Sequence, residues 1–61
     1  SSDLNEEAHR MLMRCYARMS QPHLATQQYQ ACVRSLAREL GISPSAETVS
    51  VYREIAQCAL M

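Results

Sequence analysis

The sequence predicts an all-α fold, and three observations carry that prediction. Apolar residues recur at i, i+3, i+4 and i+7 in three successive stretches, the spacing that lines one face of a helix. The chain has one Gly and two Pro, each positioned to start or stop a helix. No stretch alternates apolar and polar residues between turn signals, so no sheet is expected. Sixty-one residues suffice for one small domain and rule out a multidomain enzyme. Six Arg offset six Asp plus Glu, so the net charge is zero and no general basic field is available for DNA or an anionic membrane. No window approaches the roughly 18 apolar residues that span a bilayer. Ser1-Ser2-Asp3 lacks the pattern of a signal peptide, so a soluble, cytoplasmic protein is expected.

The first helix is expected over residues 4–19. Leu4, Ala8, Met11, Leu12, Cys15, Tyr16 and Met19 form its apolar stripe, and Met13 falls off it, which suggests packing on a partner helix or on one absent from this chain. Asp3 and Glu6 have capping-box spacing, and Glu6 and Glu7 suit the positive helix terminus. Ser20-Gln21-Pro22 breaks the pattern, because Pro disfavours a helical residue before it yet fits the first turn of a new helix. The second helix follows over 22–40, with Leu24, Ala25, Tyr29, Cys32, Val33, Leu36 and Leu40 inward and Gln27, Gln30, Arg34 and Arg38 outward. Gly41 stands where a left-handed C-terminal cap is usual. After Ile42-Ser43-Pro44-Ser45, the third helix is expected over 45–60, built on Val51, Tyr52, Ile55, Ala56 and Ala59. Val49 and Leu60 widen its arc enough to touch two neighbours.

Within the first two helices, His9-x2-Leu12-x3-Tyr16 and then Ala25-x3-Tyr29-x2-Cys32 resemble the spacing of the tetratricopeptide (TPR) helical hairpin. In that motif a large residue, Leu and Tyr interlock with a small residue and an aromatic on the returning helix. The resemblance implies that Leu12, Tyr16, Ala25, Tyr29 and Cys32 pack the hairpin. Here His9 stands in place of the usual Trp and Met13 in place of the usual Gly, so the repeat is degenerate. The expected fold is a TPR-like antiparallel helical hairpin plus a third stacking or capping helix, as a single unit over 1–61.

A longer string strengthens the resemblance: Glu7-Ala8-His9-Arg10, Leu12-Met13-Arg14, Tyr16-Ala17, Gln28-Tyr29, Cys32, Leu36, then Arg38-Glu39-Leu40-Gly41-Ile42-Ser43-Pro44-Ser45 and Glu47-Thr48. It is similar to the C-terminal part of the bacterial transcriptional activator domain, the TPR-like helical region of SARP-type transcriptional regulators. That domain is roughly twice as long as this chain. The resemblance implies a part in transcription control. In such regulators a winged-helix domain N-terminal to this region binds promoter DNA, and the helical region mediates protein contacts and self-association. The residues carrying the match are architectural, so no catalytic or cofactor-binding residue comes with them.

Arg10, Arg14 and Arg18 lie at i, i+4 and i+8, with Glu7 one turn before Arg10, on the helix that in a TPR-like hairpin lines the concave surface. These four residues form a candidate surface for an acidic peptide or partner helix; a solvated face with weak internal pairs is the plainer alternative. Cys15, Cys32, Cys58, His9 and His23 have no metal-ligand spacing, and each Cys falls among apolar positions, so reduced, buried thiols and no metal are expected. Residues 36–53 carry a partial helix-turn-helix pattern, but two extra residues after Ser43 rotate the recognition helix by about 200°. Glu47 and Glu54 outnumber Arg53 there. No nucleophile, base or phosphate-loop grouping occurs, so no enzyme is expected. The expected role is protein contact and homo-oligomerisation within a bacterial transcription activator. A stand-alone acidic-peptide adaptor and direct DNA reading are the alternatives.

Overall fold

A computed structural model describes the backbone of residues 6–59 and the side chains of residues 6–57. Its elements are α1 (Glu6–Arg18), α2 (Pro22–Glu39) and α3 (Ala46–Ala59), with no strand among the described residues. The protein is all-α. Asp3 and Leu4, the expected start of the first helix, and the side chain of Cys58, Leu60 and Met61 lie outside the described residues.

Each helix boundary has a local cause. α1 ends in a Schellman motif: the Ser20 N–H donates to the Ala17 carbonyl at 3.1 Å and the Gln21 N–H to the Tyr16 carbonyl at 2.8 Å. The motif requires a left-handed residue, and Ser20 supplies it at φ 60°, where a side chain is strained and glycine is not. Pro22 occupies the first turn of α2, where its missing N–H leaves no bond unmade, and Gln21 makes no side-chain cap. At the other end Gly41, at φ 64°, donates to the Ala37 carbonyl at 3.2 Å.

The pairings set the directions. His9 meets Gln28 and Met13 packs in one cluster with Ala25, so α2 runs back along α1. Glu6 and Arg10 reach Thr48, while Ala17 and Arg18 sit across from Val51 and Ile55, so α3 runs parallel to α1. α3 packs on both other helices, as the breadth of its apolar arc implied. The core is a cluster of Met13, Ala25, Val51 and Ile55, with Tyr16, Ala17, Tyr29 and Tyr52 packed around it. Tyr29 stacks on Tyr52, ring centroids 4.2 Å apart and planes 11° from parallel, which ties α2 to α3. Cys32 and Leu36 extend the buried face of α2, and Gln27, Gln30, Arg34 and Arg38 face solvent.

The inward face of α1 differs from the expected stripe. Met13 is fully buried at the centre of the core, whereas Leu12 is 43% exposed, Met11 59% and Met19 61%, and Cys15 is exposed. Leu12 is therefore not the residue that clamps the hairpin; Met13 takes that place beside Ala25. Tyr16 does pack against this cluster. The reason is angular. At about 100° per residue and measured the short way round, Leu12 lies about 100° from Met13, Met19 about 120°, and Met11 and Cys15 about 160°. Glu6, His9 and Arg10 occupy the same inward side as Met13 through polar contacts that hydrophobic periodicity does not register. Leu40, counted inward on α2, is also exposed, because it follows the last helical residue and the chain turns away at Gly41.

Two stability predictions follow from this geometry. Met13→Ala is expected to lose about 2–5 kcal/mol in urea unfolding, as truncations of a fully buried residue do, while Met11→Ala changes stability by less than about 0.5 kcal/mol. Ser20→Gly is expected to raise stability by about 1 kcal/mol by relieving the left-handed strain.

Candidate functional site

The polar side of the α1/α3 contact is built around one carboxylate. Ser45 stands just before α3; its carbonyl accepts the Val49 N–H at 3.1 Å, and its hydroxyl lies 3.5 Å from the Thr48 N–H. This is the N-cap half of a capping box. The reciprocal half, a Glu or Gln at the third helical position, is missing, since Thr48 stands there. Glu6 of α1 supplies it from another helix. Its Oε2 accepts the Ser45 N–H at 2.7 Å, the Ser45 hydroxyl at 3.0 Å and the Thr48 hydroxyl at 2.5 Å. Arg10 Nη1 donates to Thr48 Oγ1 at 2.9 Å, so the fully buried Thr48 hydroxyl is satisfied on both sides. The Arg10–Glu47 ion pair, at 3.8 Å with Glu47 largely exposed, adds little.

These bonds hold the Glu6 carboxyl below the usual glutamate value, chiefly through the Thr48 hydroxyl, against the opposing effect of burial. The Ser45 donors and the nearby Arg10 charge lower it further. Burial pushes the Cys32 thiol up, with Glu6 adding to the effect, so Cys32 is a packing residue rather than a poised nucleophile. His9 faces α2, where the Gln28 amide lies 2.6 Å from His9 Nδ1.

The four candidate contact residues separate. Arg10 is turned into the interface with Thr48 and is 15% exposed, so it is not part of an outward stripe; its partner came from a helix that spacing along α1 does not reveal. Glu7, Arg14 and Arg18 are exposed. Arg14 and Arg18 border an open groove of about 560 Å³ between α1 and α3, floored by Ala17, Pro22, Val51 and Ile55, with Glu54 on the opposite side. Beyond the Arg14–Arg18 ridge, Met11, Leu12, Cys15 and Met19 form an apolar face on the outside of α1. Sequence reasoning missed Thr48 as a buried polar anchor. The Ser45-x2-Thr48 spacing was the available signal, since it leaves the N-cap N–H in need of an acceptor from elsewhere.

Among the described residues there is no group of three or more metal-ligating side chains, and no helix is long and apolar enough to cross a membrane. What the geometry defines is a small helical packing unit with an outward apolar face and an Arg-bordered groove. The family model of the bacterial transcriptional activator domain matches residues 1–56. The chain belongs to that family, which is one of transcription-regulator domains and not of enzymes. Comparison with curated proteins and with solved structures gives no match for this chain.

Glu6→Gln removes the charge that caps α3 and is expected to cost about 1–3 kcal/mol at pH 7. Because the folded Glu6 value is depressed, its stabilisation is present above the unfolded value of about 4.3 and is lost as pH falls through the folded one. Urea midpoints taken from pH 7 downward should therefore converge for the native chain and Glu6→Gln below that range. Midpoints that stay equally far apart at every pH would show that Glu6 acts through packing alone.

Proposed function

We propose that this domain is a protein-contact module of a bacterial transcription activator, with a second copy of the chain as its first partner. The observation that carries this reading is the outer face of α1. Met11 and Met19 are about three-fifths exposed, and Leu12 and Cys15 lie beside them, on the side of the helix away from Met13. Large apolar side chains clustered on a helix face mark contact surfaces more often than solvated ones. Met suits such a surface because its unbranched side chain adapts to a partner. Helical-repeat units also bury a continuous core only by stacking on further helices, which gives this face a physical use. On this reading the protein works in the bacterial cytoplasm, where promoter DNA lies, and a separate domain of the regulator reads that DNA. Glu47 and Glu54 on α3 disfavour close approach of phosphates to this module.

Sedimentation of the 61-residue chain over a wide concentration range tests the reading. The apparent mass should rise with concentration, and Met11→Glu with Met19→Glu should weaken self-association at least tenfold, by roughly the apolar burial of one methionine, while leaving helical content unchanged. A chain that stays monomeric throughout, or a double variant that associates as well as the native chain, overturns it.

A further inference from the structure

We infer that the groove between α1 and α3 is a docking site for an acidic, amphipathic helical segment of a partner protein. Its floor is apolar, made by Ala17 of α1, Pro22 at the start of α2, and Val51 and Ile55 of α3. Its volume of about 560 Å³ lies within the roughly 300–1,000 Å³ typical of ligand-holding clefts, room for a few aliphatic side chains.

Charge selects the occupant. Arg14 and Arg18 stand one helical turn apart along the α1 edge, both exposed, and neither has an ion-pair partner among the described residues. Arg10, one turn earlier, is already held by Thr48. Two uncommitted guanidinium groups at fixed spacing beside an apolar trough suit carboxylates one turn apart on a helix whose apolar side faces the trough. Glu54 lies on the opposite edge and gives the site polarity. The acidic flank of the incoming helix faces α1, and a neutral or basic flank faces α3. Two cations against one anion favour an acidic segment over a basic one. The floor of the groove lies on the core side of the Arg14–Arg18 ridge, while Met11 and Cys15 lie on the ridge's other side. The inference does not rest on self-association or on any role in transcription.

The test is a fluorescence-anisotropy titration of the 61-residue chain with a labelled helix-forming peptide about four turns long, carrying Leu on one face and Glu along one flank. Two control peptides replace every Glu by Lys or every Leu by Ser. The Leu/Glu peptide should bind at least about tenfold more tightly than either control, and Arg14→Ala with Arg18→Ala should weaken it by about tenfold. Arg14→Glu with Arg18→Glu should reverse the preference toward the Lys peptide, a gain that an unfolded chain cannot show. The same titration in a Met11→Gln, Met19→Gln background, which adds no charge beside Arg14 and Arg18, should give the same affinities; this separates failure of this inference from failure of the self-association reading. No binding of the Leu/Glu peptide, equal affinity for the Glu and Lys peptides, or full binding by the double Ala variant overturns the proposal.

Discussion

The Glu6 carboxylate does for α3 what a residue inside α3 would ordinarily do. Ser45 can satisfy a donor of its own helix, but the third helical position is Thr48, too short to reach back to the Ser45 N–H. Because Glu6 accepts that N–H and both neighbouring hydroxyls, the start of α3 is fixed against the start of α1. From that end the two helices run side by side, and the remaining geometry follows. Val51 and Ile55 meet Met13 and Ala25, Tyr52 meets Tyr29, and the C-terminal part of α1 lines the groove with the middle of α3.

A single carboxylate can hold this position because of how small the unit is. A domain of this length buries few side chains completely, and Met13, Cys32 and Thr48 are the largest of them. One of the three is polar, so its hydroxyl must be paired, and Glu6 and Arg10 pair it from opposite directions. That arrangement draws Arg10 inward and leaves Arg14 and Arg18 outside. A row of three like charges at equal spacing thus becomes one interface residue and two surface residues.

The amphipathicity of α1 is double-sided. Its inner side combines Met13, Tyr16 and Ala17 with polar contacts from Glu6, His9 and Arg10; its outer side carries Met11, Leu12, Cys15 and Met19. An inner face of mixed polarity and an outer face of large apolar groups suit a helix designed to have neighbours on both sides. The proposed contact role and this odd distribution of hydrophobicity have the same physical source.

The sequence by itself determined the helical class, the approximate limits of the helices, the break at Pro22, the left-handed cap at Gly41 and the family. These depend on local backbone preferences and on spacing along one chain. The sequence also marked Ala25 and Cys32 as inward positions of α2, where both are fully buried, while Tyr29, expected in the hairpin, has its ring stacked on Tyr52 of α3. Only the tertiary structure decided which side of α1 faces in, that Met13 rather than Leu12 meets Ala25, and that Arg10 leaves the stripe for Thr48. Those outcomes depend on hydrogen bonds between residues about forty positions apart. A hydrophobic period counts a Glu or an Arg as outward, and it has no means of registering an acceptor that another helix needs.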